Sequence, residues 1–203
     1  MKKNKISKNW INKQRKDIYV RKSKTEGYRS RAVYKLQEIN EKFRIIKNGI
    51  FVVDLGAAPG SWSQFISRRF KNLKLISIDL KEIQEIKNVI QIKGDFTDKL
   101  QQKKIMEYFG EKIDLVISDM AVNTTGNKNV DSLVTGELCI EAMKFPTNNL
   151  KKKAIFVSKI FMGSPFKEII LNAKKKYKEV HIFKPSSSRK ESKENFIICK
   201  HLR

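Results

Sequence analysis

The sequence predicts an α/β fold: a mostly parallel seven-stranded sheet with an antiparallel terminal strand and helices on both faces. Three observations predict it. From residue 50 onward, short apolar runs alternate with segments of helical period, the pattern of strands joined by crossover helices. The first run ends in a turn of small residues, Gly56-Ala57-Ala58-Pro59-Gly60, as a ligand loop at the carboxyl edge of such a sheet requires. The last two runs are joined only by the Ser/Lys-rich stretch Pro185 to Glu194, too short for a crossover helix, which makes the final strand antiparallel.

Residues 1–29 read as a basic arm ahead of one domain spanning 30–203. The arm carries eleven Lys and Arg against Asp17 and Glu26, with Trp10, Tyr19 and Tyr28 interleaved. It cannot supply a core of its own, so it is either a solvated tail or an electrostatic arm for phosphates. From Ser30, an N-cap candidate, Ala32, Leu36, Ile39 and Phe43 recur at helical spacing. Strands are predicted over Ile50–Leu55, Leu73–Asp79, Val89–Ile92, Ile113–Asp119, Ala154–Lys159, Glu179–Phe183 and Asn195–Cys199. Helices are predicted over Ser61–Phe70, Asp98–Phe109, Asp131–Phe145 and Pro165–Tyr177.

Composition narrows the partners. The chain of 203 residues has 44 Lys+Arg against 21 Asp+Glu, a net charge of +23. That field attracts polyanions and favours nucleic acid, although an AT-rich genome also inflates lysine and acidic membranes also attract basic proteins. Cys139 and Cys199 stand far apart with no CxxC or Cys/His cluster, so no disulfide framework or metal site is indicated and a reducing, cytoplasmic setting fits. No apolar run suits a signal peptide or a membrane span; the lysine-rich start leaves a mitochondrial transit peptide open.

The turn after the first strand selects the ligand. A dinucleotide fold prefers GxGxxG, whose glycines make room for a pyrophosphate; here Ala57, Ala58 and Pro59 intervene. Asp79 closes the second strand, where a carboxylate can accept both hydroxyls of a ribose. Asp95, after the third, can accept from an exocyclic adenine amine. Either acid alone is as well explained as a solubilising strand end, but three features in register indicate a nucleoside ligand without pyrophosphate.

Four further residues carry the chemistry. Lys159 ends the apolar run Ile155 to Ser158, and Asp119 ends Leu115 to Ser118, so both belong on the same sheet edge. Lys35 lies beside the apolar stripe of the first helix, where snorkelling is the bland explanation. Glu194 opens the final strand, where a solubilising edge charge is the bland one.

In these segments the chain resembles the FtsJ-type ribosomal RNA large-subunit 2′-O-ribose methyltransferases. The matching stretches run in order over essentially the whole chain: Arg29-Ser30-Arg31-Ala32-Val33-Tyr34-Lys35-Leu36, DLGAAPGSWSQ from Asp54 to Gln64, Gly94-Asp95-Phe96-Thr97-Asp98, Ser118-Asp119-Met120-Ala121, Ser158-Lys159-Ile160-Phe161-Met162-Gly163, and Lys184-Pro185-Ser186-Ser187-Ser188-Arg189 with Ser192-Lys193-Glu194. The resemblance implies a Rossmann-like methyltransferase fold and S-adenosylmethionine as cofactor, bound through Gly56, Gly60, Trp62, Asp79, Asp95 and Asp119. It implies a catalytic tetrad of Lys35, Asp119, Lys159 and Glu194. In it, Lys159 deprotonates the ribose hydroxyl or, if charged, stabilises the developing alkoxide; Asp119 orients Lys159 and Glu194 fixes Lys35. The implied substrate is a uridine of 23S (large-subunit) rRNA on the assembled subunit. The RNA is expected along the arm, Arg29, Arg31 and the Ser186–Lys193 loop, with the protein a monomer. Three positions depart from the family: Ser61 replaces a glycine and can act as a helix cap, Val122 replaces a proline after Asp119, and Phe196 replaces a frequent tyrosine. Competing readings are a transfer-RNA or messenger-RNA-cap ribose methyltransferase, a non-catalytic ribosome-assembly factor on the same fold, and, least of all, a nicotinamide-dependent oxidoreductase.

Overall fold

The computed structural model describes residues 16–120, 128–145, 150–163 and 165–203. Helix α1 (Ile18–Thr25) and helix α2 (Val33–Phe43) precede strand β1 (Phe51–Leu55). Then follow α3 (Ser61–Arg69), β2 (Lys74–Asp79), β3 (Ile90–Lys93), α4 (Lys99–Phe109), β4 (Ile113–Ser118), α5 (Lys128–Lys144), β5 (Leu150–Phe161), α6 (Phe166–Lys176), β6 (Tyr177–Phe183) and β7 (Glu194–Leu202). The strands form one seven-stranded sheet in the order β3-β2-β1-β4-β5-β7-β6. Strands β1 to β5 pair in parallel, and β7 runs antiparallel between β5 and β6. Strand order reverses between β1 and β4, so a ligand crevice belongs at their carboxyl ends.

Side-chain alternation along the central strands builds two cores. Val52, Leu115, Ile117 and Val157 face a cluster with Leu36 and Ile39 of α2 and Trp62 and Phe65 of α3. Val53, Leu55, Val116 and Phe156 face the opposite cluster, with Ile105 of α4, Met143 of α5 and Ile169 of α6. Burial of both faces explains why these strands read as continuous apolar runs. Strands β5 and β7 exceed their predicted lengths: β5 pairs with β4 from Leu150 and with β7 as far as Phe161, and β7 pairs with β6 as far as Leu202. The lysines at 151–153 and the polar pair Lys200-His201 obscure the outer parts of these strands in the sequence.

The start of the chain differs from a free arm where it is described. Asp17 caps α1, its Oδ1 accepting from the backbone N–H of Tyr19 at 3.0 Å and of Val20 at 3.4 Å. Tyr19 and Tyr28 pack against Tyr34 of α2, with ring centroids 5.4 and 6.5 Å away. Two of the three interleaved aromatics therefore serve packing; Trp10 lies outside the described residues. Two cap assignments also change. Helix α2 is capped at Ala32, and Ser30 Oγ accepts from the Ala32 N–H at 3.2 Å in the preceding turn. Gly60, at φ +97°, caps α3, and Ser61 is its first residue; only a residue free of the Cβ penalty takes that conformation readily. Val122 lies outside the described residues.

Candidate active site

The register of three neighbouring strands brings two of the predicted side chains together and places the third close by. Ser118 of β4 pairs with Ser158 of β5, so Asp119 and Lys159 leave the sheet side by side at its carboxyl edge. Glu194 enters β7 opposite Phe161, two residues beyond Lys159. Helix α2 lies across this edge and lowers Lys35 between them.

The four side chains form a closed network of alternating charge. Lys159 Nζ lies 2.7 Å from Asp119 Oδ1 and 3.6 Å from Glu194 Oε2, and it donates to the Asp119 backbone carbonyl at 2.8 Å. Lys35 Nζ lies 2.9 Å from Glu194 Oε2 and 3.3 Å from Asp119 Oδ2. Two ammonium groups and two carboxylates sum to no net charge, which makes their joint burial tolerable. Burial alone lowers the Lys35 pKa, but the Asp119 and Glu194 carboxylates outweigh it and hold the amine above its ordinary value. Burial alone raises Glu194; Lys35 and Lys159, with hydrogen bonds from Lys35 and Ser188, outweigh it and hold the carboxyl down at about 2.

Sequence reasoning missed the supports of this network. Ser188 Oγ donates to Glu194 Oε1 at 2.7 Å, leaving Oε2 for the lysines. One turn along α2 from Lys35, the Glu38 carboxylate accepts from the backbone N–H groups of Ser186 and Ser187 at 2.5 and 2.8 Å. Helix α2 and the loop before β7 are thereby locked together. No spacing rule joins residues 150 positions apart, and a serine or glutamate in a polar segment carries no signal by itself.

Beside Asp119 opens a cleft of about 450 Å³ at the switch point, lined in part by Gly56, Asp79, Asp95, Phe96, Asp119 and Met120. Gly56 has φ +65°, and a Cβ there would stand 1.9 Å from Met120 Cγ, so both conformation and space demand glycine. Asp79 accepts from the backbone N–H of Ala58 at 2.9 Å and of Lys81 at 2.8 Å, which ties the small-residue loop to β2. Thr97 donates its N–H and its hydroxyl to Asp95 Oδ1. Gly60 and Trp62 do not line this cleft. Trp62 is buried, packs at a tilt against Phe196 with ring centroids 5.8 Å apart, and donates its indole N–H to the Ala32 carbonyl at 2.8 Å. Trp62 therefore anchors α2 over the loop. Phe196, without a hydroxyl, is a buried ring 5.7 Å from the Lys35 ammonium.

Arg29 departs from its expected place on an RNA-binding face. Its guanidinium donates to the carbonyls of Pro59 at 3.0 Å, Gln84 at 2.8 Å and Glu85 at 2.7 Å. It clasps the small-residue loop after β1 to the segment after β2. Asp54, at the end of β1, is 1% exposed and accepts from Ser63 Oγ at 2.7 Å. Burial first, then the nearby charges of Asp119 and Asp79, push its carboxyl up to about 7 against the pull of the Ser63 hydrogen bond.

A second cleft, of about 270 Å³, has Lys35 and Glu194 in its lining. The network thus lies between two cavities, with Asp119 in the wall of the first and Lys35 and Glu194 in the wall of the second. Among the described residues, no helix is long and apolar enough to cross a membrane.

Comparison with known proteins agrees with this architecture. The model of the FtsJ-like methyltransferase family matches residues 28–202. A ribosomal RNA large subunit methyltransferase E from Pelagibacter ubique is 64% identical over 203 residues, covering both chains in full. The protein of the same name from Rickettsia akari is 44% identical over 199 residues, covering 95% of this chain and 88% of its own. A crystal structure described as a ribosomal RNA methyltransferase from Plasmodium falciparum superposes with a TM-score of 0.76 at 32% identity, covering 86% of this chain and 98% of that one. On the extent of the family match and these identities, the chain belongs to the FtsJ-like methyltransferase family and is a methyltransferase.

Proposed function

We propose that this protein transfers a methyl group from S-adenosylmethionine to a ribose 2′-hydroxyl of large-subunit ribosomal RNA, on the assembled subunit. The observation that carries the reading is the network of Lys35, Asp119, Lys159 and Glu194 between two clefts. It puts proton-handling groups between a nucleoside-sized site and a second open cavity. The names of the relatives support ribosomal RNA as substrate, and the charge of +23 supports a polyanion.

The larger cleft fits the cofactor by its donor set. Asp79 offers a carboxylate that can accept from ribose hydroxyls, Asp95 one that can accept from an adenine amine, and Gly56 a close backbone approach. When bound, S-adenosylmethionine supplies an already activated sulfonium methyl, so the chain has to position and deprotonate the oxygen. Lys35, held in its charged form by two carboxylates, is no proton acceptor near neutral pH. Lys159, which Asp119 orients through both a carboxylate oxygen and its backbone carbonyl, serves the ribose hydroxyl: as a free amine it takes the proton, and as an ammonium it stabilises the developing alkoxide. Glu194 neutralises Lys35 and keeps the pair of lysines from expelling one another. The whole tetrad comes from one chain, which supports action as a monomer, and the two buried cysteines, both free, suit a reducing cytoplasm.

The test is to incubate the protein with methyl-labelled S-adenosylmethionine and large ribosomal subunits lacking this modification, then map the label. Label on a ribose 2′-oxygen of the large-subunit RNA is the expected result; label on a base, or none, overturns the reading. Naked transcript is expected to be the poorer substrate.

A further inference from the structure

The tetrad occupies the carboxyl edge of the sheet, and the opposite edge carries a cluster of cations that the reaction does not use. We propose that this amino edge, around Lys151-Lys152-Lys153 at the start of β5, is a second phosphate-binding surface, which contacts a segment of large-subunit RNA other than the one entering the tetrad. This rests on the reading of large-subunit RNA as substrate.

The backbone sets the three lysines apart. From Ile113 to Leu115 strand β4 advances two residues, while β5 advances five, from Leu150 to Ile155. Three residues of β5 therefore bulge from the ladder, as many as the lysines 151–153, and a bulge re-aims the side chains it carries. Lys152 and Lys153 are exposed, and neither side chain has an ion pair or a hydrogen bond among the described residues.

A contiguous surface surrounds the bulge. Lys151 Nζ lies 2.9 Å from Asp114 Oδ2 and 5.0 Å from the centroid of the Phe51 ring. Lys74 Nζ lies 4.9 Å from the same centroid and 6.0 Å from that of Tyr108. One ring thus seats two ammonium groups. Lys112, just before β4, is exposed, and Tyr108 is 43% exposed. Against these five lysines stand Glu111 and Asp114, and Asp114 is occupied by Lys151 and by the Phe51 N–H. An excess of ammonium groups beside an exposed ring suits a sugar-phosphate backbone.

Two blander accounts leave the cluster unexplained. Cations in a last helical turn, such as Lys174, Lys175 and Lys176 of α6, answer the carboxyl end of their helix; Lys74, Lys112 and the bulge stand on strands and turns. Charges flanking an apolar strand guard it against aggregation, but either sign does so, and here the run has one sign. Lysine heads contact phosphates as point charges, without reading sequence. From Asp114 to Asp119 the chain spans roughly 17 Å, so the phosphates beside the target ribose cannot also lie on the amino edge. A folded RNA can present a second segment there, and that contact then forms at the effective concentration set by the first.

The experiment measures methyl transfer to large subunits lacking the modification, and binding to them against salt, with cofactor binding as the check on folding. Lys152→Gln combined with Lys153→Gln is expected to raise KM for the subunit about tenfold, with kcat and cofactor affinity within about twofold. It also flattens the dependence of log affinity on log salt by about 1.4–1.8, the contribution of two phosphate contacts. Lys152→Glu with Lys153→Glu keeps charges that guard against aggregation and is expected to raise KM further, to about thirtyfold over wild type. Lys99→Gln with Lys103→Gln removes two exposed lysines from the amino-terminal half of α4 and is expected to leave KM within about twofold. A photo-crosslinker on a Lys152→Cys variant is expected to label large-subunit RNA. An unchanged KM and salt slope in the Lys152 and Lys153 variants overturns the proposal. An equal effect of the α4 pair does so too, because net charge then accounts for it. Crosslinks confined to ribosomal protein overturn the assignment to RNA. If the wild-type protein labels an atom other than a ribose 2′-oxygen, the functional reading fails instead, and the salt slopes and crosslinks still decide the surface.

Discussion

Lys35 Nζ and Glu194 Oε2 meet at 2.9 Å although 159 positions separate them in the chain. The contact joins the first turn of α2 to the start of β7, and it holds the Glu194 carboxyl at about 2 where the ordinary value is 4.5. A carboxyl whose folded value is depressed adds stability that is fully present above its ordinary value. That stability is lost as pH falls through the folded value. Wild-type protein is therefore expected to lose stability between about pH 4.5 and 2 along a slope that Glu194→Gln lacks. At pH 7 the variant is expected to be less stable by about 2–4 kcal/mol in urea, because two buried ammonium groups then share one carboxylate. Coincident acid-unfolding curves for the two proteins would refute the ion-pair account.

Lys159 is 7% exposed and touches both carboxylates of the network. Lys159→Ala is expected to fold and bind S-adenosylmethionine with affinity within about threefold of wild type. It should transfer methyl to ribose roughly 10²–10⁴ times more slowly, the usual worth of a positioned proton-transfer group. Calorimetric titration of the cofactor and single-turnover transfer to ribosomal subunits separate the two effects. Turnover near the wild-type rate would remove Lys159 from the chemistry.

The element order and the sheet edge were legible because burial on both faces writes apolar runs into β1, β2, β4 and β5, and because Asp54-to-Gly60 is an unusual cluster of small residues. Lys159 and Asp119 were legible as charges ending those runs. Lys35 and Glu194 were not distinguishable by pattern from surface charges, and only the motifs of the family singled them out. Arg29 shows the opposite failure. A guanidinium in a basic arm reads as a phosphate ligand, yet the fold turns it toward three backbone carbonyls. The supporting residues Glu38 and Ser188 were illegible for a different reason: their partners are created by tertiary contact across about 150 residues in one case and by loop conformation in the other.

The clasp made by Arg29 predicts a separation of phenotypes. Since its donors bind Pro59, Gln84 and Glu85, Arg29→Ala frees the small-residue loop after β1 from the segment after β2. It is expected to weaken cofactor binding about tenfold, in keeping with the loss of several charge-assisted hydrogen bonds. The salt dependence of binding to the ribosomal subunit should be unchanged, because no phosphate contact is lost. A flatter salt slope with normal cofactor affinity would return Arg29 to the RNA-binding face.

Asp54 predicts a pH effect of the opposite sign to Glu194. Its carboxyl stands at about 7 in the fold against an ordinary 3.8, so the folded state holds a proton that the unfolded chain releases. Between those two values stability falls as pH rises, and the loss is complete above about pH 7. Asp54→Asn keeps an oxygen to accept the Ser63 hydroxyl and has no proton to lose. The variant is therefore expected to match wild type near pH 4 and to exceed it at pH 8, by up to an amount on the order of 3–4 kcal/mol. Thermal unfolding of both proteins from pH 4 to 8 gives the difference curve directly. A flat difference, or one that rises toward acid, would mean that Asp54 is ionised in the fold and that Ser63 and Ser77 stabilise a buried charge there.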